Sequence, residues 1–172
     1  MARPRPGLRR LLLCILLALV TALPAGAELL RAGDRAPLFR FPDLLTGETK
    51  EFADVAPDRP LLVVFLQTAC RSCVREMVAL KNLKADVEDI GILGVFLDLR
   101  PRGLEEYVAE YDLPFTFTWD GSYTTADAYG VSFSPTSFLV DRDGAVAAVY
   151  PGYTRATERY IRADLDKLLV RR

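Results

Sequence analysis

The chain has 172 residues, 51% of them hydrophobic, with 22 basic and 23 acidic side chains, no histidine and a formal net charge of −1. That length and apolar share suit one domain with a hydrophobic core of its own. The near balance of charge gives no support to nucleic-acid binding or to a basic membrane-surface patch.

Residues 1–27 begin with Arg3, Arg5, Arg9 and Arg10, continue as an apolar run over 11–23 and end in Pro24-Ala25-Gly26-Ala27. A basic start, a short apolar stretch and small residues form the pattern of a cleaved export signal. The apolar run is shorter than the roughly 20 residues that span a bilayer, so a retained anchor is the secondary reading. Removing the segment takes away Cys14 and four arginines but no acidic residue, leaving 145 residues, two cysteines and a net charge of −5. No stray thiol remains beside the spaced pair Cys70 and Cys73. A domain of that size needs no disulfide staple, so the pair is expected to serve chemistry.

Residues 29–60 read as an opening segment with turns at Gly33-Asp34, Thr46-Gly47-Glu48 and Pro57-Asp58-Arg59-Pro60. The alternation in residues 38–41 and 49–52 suits a small β-hairpin. Leu61–Leu66 is apolar throughout, with β-branched Val63 and Val64 at its centre, as expected of a strand buried on both faces. A helix is expected from the cysteines to about residue 87, with Val74, Met77, Val78 and Ala85 inward and Arg75, Lys81 and Lys84 in water. A second central strand follows over 92–97, then a helix over Leu104–Tyr111, a strand over 115–118 and a short helix over 123–129. Beyond Ser134-Pro135-Thr136 come a strand over 137–140, a turn at Asp141-Arg142-Asp143-Gly144, a partner strand over 145–150 and a helix over 154–170. Alternating strands and helices closed by an antiparallel hairpin predict a three-layer α/β domain with a mixed sheet.

The stretch VVFLQTACRSCVREM places two cysteines, two residues apart, where the first central strand turns into a helix. Free backbone amides and the helix dipole stabilise a thiolate there, which marks Cys70 as the nucleophile. Cys73, one turn on, can reach the same sulfur and is the resolving thiol. Other readings compete. A structural zinc site needs about four thiolate or imidazole ligands, and two cysteines without histidine do not supply them. A disulfide closing so short a loop is a poor staple. A remnant that only binds partners stays open.

The segments AGDRAPLFRFPDLLTGETKEF, PLLVVFLQTACRSCVREM, ILGVFLD, EYDLPFTFTWDGSYTTADAYGV and SPTSFLVDRDGAV together resemble the thioredoxin-fold family. The resemblance is to its exported TlpA/ResA-like thiol-disulfide oxidoreductases, and the front end is shared with peroxiredoxins. It implies a three-layer thioredoxin fold over residues 28–172, a mixed central sheet flanked by helices with an N-terminal β-hairpin extension. It implies that Cys70 and Cys73 are the redox pair, that Pro135 is the cis-proline facing them, and that the Ser134 backbone pairs with an extended substrate strand. Glu76 matches the acidic residue near the pair and would relay a proton to Cys73, provided that burial raises its pKa. Arg71 would favour the thiolate electrostatically.

The chain departs from the family pattern at Ala69, where tryptophan is usual, and at Val64, where thioredoxin proper has a buried aspartate. Gln67 stands where a peroxiredoxin needs threonine. The resemblance implies a monomeric enzyme outside the cytosol, in the periplasm or at the outer face of the cytoplasmic membrane, with no cofactor and no nucleic-acid partner. Its partners would be cysteine-containing exported proteins, apocytochrome c among them, and a membrane thiol protein that donates electrons. A redox-inactive binding module and a thiol peroxidase are the alternatives.

Overall fold

The computed structural model describes residues 28–170, and the export signal expected over 1–27 lies outside them. Two apolar strands, β3 (Leu61–Leu66) and β4 (Gly91–Phe96), lie parallel at the centre with every residue buried. They are joined in a five-stranded sheet by β5 (Thr116–Trp119), parallel to β4, and by the antiparallel pair β6 (Thr136–Val140) and β7 (Val146–Pro151). The order across the sheet is β5-β4-β3-β6-β7. A separate two-stranded antiparallel sheet is formed by β1 (Phe41–Pro42) and β2 (Thr49–Lys50). Five helices complete the described chain: α1 (Phe52–Val55), α2 (Arg71–Asp86), α3 (Leu104–Tyr111), α4 (Thr124–Tyr129) and α5 (Arg155–Val170).

The period of two along a strand divides the core into two layers. Leu62, Val64 and Leu66 point to one face, where they meet Met77, Leu80 and Leu83 of α2, Leu104 and Val108 of α3, and Ile161 and Leu165 of α5. Leu61, Val63 and Phe65 point to the other, against Ala126 and Tyr129 of α4 and the N-terminal residues Ala36 and Phe41. This is the mixed, three-layer arrangement that the alternation of elements predicts. Gly94 in β4 is required by its neighbour: a Cβ there would lie 2.4 Å from the ring of Phe117, its cross-strand partner. The turn at Asp141 is also built as its sequence suggests. Its carboxylate accepts the amides of Asp143 (3.0 Å) and Ala145 (2.9 Å), and Gly144 takes a positive φ of 80°.

Two local expectations are corrected. The stretch 49–52 does not continue as a strand, because Glu51 caps a helical turn in which its amide donates to the Asp54 carboxylate at 2.8 Å. Phe52 thereby packs edge-on against Phe39, with ring centroids 5.2 Å apart. On α2 the inner stripe is Cys73, Glu76, Met77, Ala79, Leu80 and Leu83, whereas Val78 and Ala85 are exposed. The helix is rotated so that Cys73 faces the sheet, and Glu76, one turn along, must follow it inside. Lys81 and Lys84 are half-buried and spend their charge on local acceptors, Lys81 on the Tyr111 carbonyl and Asp112, Lys84 on the Glu88 and Ile90 carbonyls.

Candidate active site

Cys70 is the N-cap of α2, and its sulfur accepts the Cys73 amide at 3.1 Å, taking up one of the donors that a helix start leaves free. The two cysteines form a disulfide. They differ sharply in access: Cys70 is half-buried, whereas Cys73 is 1% exposed. The Ser72 hydroxyl lies 3.3 Å from the Cys70 sulfur.

On the far side of that sulfur stands the loop before β6. The Ser134–Pro135 peptide is cis, and the Ser134 carbonyl oxygen lies 3.8 Å from Cys70 Sγ. The Ser134 hydroxyl donates to the Gln67 side-chain oxygen at 2.9 Å, tying this loop to the one that leads into Cys70. The Pro135 carbonyl accepts the Gly152 amide at 2.8 Å, which anchors the loop to the end of β7. The sequence elements that suggested a site, one at residues 70–73 and one at 134–135, therefore meet at a single sulfur.

Glu76, one helical turn beyond Cys73, is 1% exposed, with its Oε1 accepting the Ser137 hydroxyl at 2.6 Å and its Oε2 without a hydrogen-bond partner. Burial pushes its carboxyl up from the ordinary 4.5 to about 7, and the Ser137 hydrogen bond holds it partly back. A buried carboxyl that titrates near neutrality can take or give a proton at working pH. Tyr153, half-buried after the last strand, lies within electrostatic reach of Glu76. Burial, then the negative charge of Glu158 and of Glu76 beyond it, pushes its hydroxyl up to about 12, and it donates to Glu158 at 3.3 Å. Arg71 is exposed, and among the described residues it makes no ion pair and no hydrogen bond to either sulfur.

Three parts of the site are not visible in the motif itself. Ser137, the partner of Glu76, comes from β6; its signal is a polar residue inside the otherwise apolar strand TSFLV. Asp98, just beyond β4, clamps the approach to Cys70. Its carboxylate accepts the Thr68 amide (3.1 and 3.2 Å) and the Thr68 hydroxyl (2.6 Å). Trp119 then docks its indole N–H on the Asp98 carbonyl at 2.7 Å. The parallel register predicts this clamp, because Leu66 lies opposite Phe96 and each residue of the clamp is two further on.

Known proteins resemble this chain in sequence and in fold. The Redoxin family profile matches residues 31–169. The thiol-disulfide oxidoreductase ResA of a Bacillus cereus strain is 30% identical over 146 residues, 84% of this chain and 82% of that one. The thioredoxin-like protein YneN of Bacillus subtilis is 26% identical over 80% of this chain and 81% of its own. Among solved structures, a candidate thiol:disulfide interchange protein DsbE from Chlorobium tepidum superposes with a TM-score of 0.74. It covers 83% of this chain and 99% of its own, and at 24% identity it speaks for the fold alone. The chain belongs to the Redoxin family and, within it, to the ResA-like thiol-disulfide oxidoreductases of thioredoxin fold.

Proposed function

We propose that this enzyme works outside the cytosol on protein disulfides, with Cys70 as nucleophile and Cys73 as resolving thiol. In the reduced enzyme the Cys70 thiolate attacks one sulfur of a partner disulfide. A Cys70–partner bond forms, and the partner's other sulfur leaves as a thiolate. Glu76, as carboxylate, then takes the Cys73 proton. The Cys73 thiolate attacks Cys70, the mixed disulfide breaks, and the partner gains two electrons as the enzyme is oxidised.

The observation that carries this reading is the asymmetry of the pair: one sulfur is half-buried beside the Ser134 carbonyl, the other enclosed next to a buried carboxyl. Ser134 and Pro135 are the surface on which an extended partner segment would lie, adding main-chain hydrogen bonds beside Cys70. Arg71, one residue from the nucleophile, adds positive potential there.

The basic and apolar leader over 1–27 supports export to the periplasm or the outer face of the cytoplasmic membrane. In that oxidising compartment a reductase has to be recharged by a membrane thiol protein, and cysteine-bearing exported proteins, apocytochrome c among them, are its substrates. Trapping tests the exchange. The Cys73→Ser protein, reduced and offered a disulfide-bearing polypeptide, is expected to accumulate a covalent adduct at Cys70 that dithiothreitol releases. A protein that forms no adduct under these conditions refutes the mechanism.

A further inference from the structure

Three hydroxyl groups belong to residues beside Cys70, and two of them are committed elsewhere. The Thr68 hydroxyl donates to the Asp98 carboxylate at 2.6 Å, and the Ser134 hydroxyl donates to the Gln67 side-chain oxygen at 2.9 Å. The third is that of Ser72, half-buried at the second position of α2; among the described residues its one partner is Cys70 Sγ at 3.3 Å. The direction of that bond follows from valence. In the disulfide Cys70 carries no S–H, so the hydroxyl donates and the sulfur accepts.

The Cys70 sulfur thus receives two donors from one turn of helix, the Ser72 hydroxyl and the Cys73 amide at 3.1 Å. A disulfide sulfur is a weak acceptor, but hydrogen bonds to an ionised partner are about twice as strong as those between neutral groups. Reduction and loss of the thiol proton therefore strengthen both bonds, and whatever binds the charged form better lowers its pKa. One neighbour works the other way. The Ser134 carbonyl oxygen, 3.8 Å from the sulfur, favours the thiol, which can donate to it, over the thiolate, which cannot. Arg71 is exposed and touches neither sulfur, so its influence is a field that salt screens. The amide is a fixture of the backbone. Ser72 is the side chain that decides by contact between the two forms of Cys70.

We infer that Ser72 is a catalytic residue whose hydroxyl donates to the Cys70 thiolate, keeping the nucleophile ionised near neutral pH and receiving the same sulfur when it leaves. The inference rests on the exchange reaction proposed above and names the group that tunes its nucleophile. On ionisation the Cys70 proton passes to solvent, and the hydroxyl bonds to the electron pair left on sulfur. On recharging, the mixed disulfide joins Cys70 to a dithiol partner. The partner's second thiolate attacks the partner sulfur of that bond, a disulfide forms within the partner, and the bond to Cys70 breaks with its electron pair on Cys70. The Ser72 hydroxyl stabilises that leaving thiolate as it does the attacking one.

The Cys73→Ala protein tests it, since alanine leaves the Cys70 thiol alone without adding a hydroxyl as serine would. The pH midpoint of its alkylation by iodoacetamide reads the ionisation of Cys70. Ser72→Ala in that background is expected to raise the midpoint by about 0.5–1 unit, about a three- to tenfold loss of thiolate at lower pH. Ser72→Thr keeps the hydroxyl and is expected to restore the parent midpoint. The shift from Ser72→Ala should persist in about 0.5 M salt, where an exposed charge is screened within a few ångströms. With both cysteines present, Ser72→Ala should move the equilibrium with glutathione at about pH 8 roughly three- to tenfold toward the protein disulfide, because the reduced form loses the stronger bond. An unmoved midpoint, a threonine variant that behaves as alanine, a shift that salt abolishes or an unmoved glutathione equilibrium overturns the assignment and leaves disulfide exchange standing. A parent Cys73→Ala protein that alkylates but forms no adduct with a disulfide-bearing polypeptide removes the exchange reading itself, and the inference with it.

Discussion

Glu76 makes the stability of this protein depend on pH in a calculable way. Its carboxyl titrates near 4.5 when unfolded and near 7 in the fold, because burial penalises the charged form. Between those values the folded state holds more protons than the unfolded one. Stability is therefore greatest at low pH, falls as pH rises from about 4.5, and levels off above about 7. The difference of roughly 2.5 pK units corresponds to about 3 kcal/mol. The chain has no histidine, and among the described residues of the oxidised protein both cysteines are held in the disulfide, so urea unfolding of residues 28–172 in the disulfide form between about pH 5 and about pH 8 isolates this carboxyl. Glu76→Gln keeps an acceptor for Ser137 and removes the titration. Its neutral amide leaves a donor where Oε2 now lacks a partner, a cost of about 1–3 kcal/mol that does not vary with pH. The slope of stability against pH, rather than its level, is thus the quantity to compare. Wild-type stability that stays level over this interval, or a variant that keeps the wild-type slope, would refute the account.

Two further substitutions probe how the site is held. Thr68→Val deletes the hydroxyl that donates to Asp98 and leaves the amide bond in place; it is expected to cost about 1–2 kcal/mol in urea unfolding, and Thr68→Ser should restore most of it. Gly94→Ala puts a methyl group into the ring of Phe117 at the centre of the sheet, and a loss of about 1–3 kcal/mol in the same assay is expected, with the unfolding slope unchanged.

The central strands were legible because each is a run of six residues buried on both faces, a pattern that few other structures need. The position of the cysteine pair followed from the end of the first run. Less legible was the rotation of α2. Val74, Met77, Val78 and Ala85 form a plausible apolar stripe, yet Val78 and Ala85 lie outside because Cys73 fixes which side of the helix faces the sheet. A helical glutamate ordinarily reads as a solvated one, and only that register reveals Glu76 as internal. The Asp98 clamp joins residues 30 apart and follows from strand register, which periodicity alone does not set. At the N-terminus the alternation of residues 49–52 suggested a longer strand. The reciprocal positions of Glu51 and Asp54, three apart, were the competing signal, and the helix-capping bond prevailed.

The replacement of a buried strand carboxylate by Val64 acquires a physical meaning once the register is known. Val64 pairs with Ser137 across β3 and β6, and Ser137 is the residue whose hydroxyl reaches Glu76. A buried carboxyl is still present one helical turn from Cys73. It enters from the helix instead of the strand, and the strand contributes a hydroxyl that holds it. A carboxyl one turn from Cys73 on the same helix keeps a fixed relation to that sulfur whatever small motions the helix makes against the sheet. The Ser137 bond also sets how readily the carboxyl ionises, because it favours the charged form against the burial that opposes it. Ser137→Ala should accordingly move the inflection of the stability curve to higher pH and slow resolution of a Cys70 mixed disulfide at neutral pH, where fewer molecules would carry the carboxylate. An inflection that stays where it is in that variant would mean that burial alone tunes Glu76 and that β6 serves only as a wall.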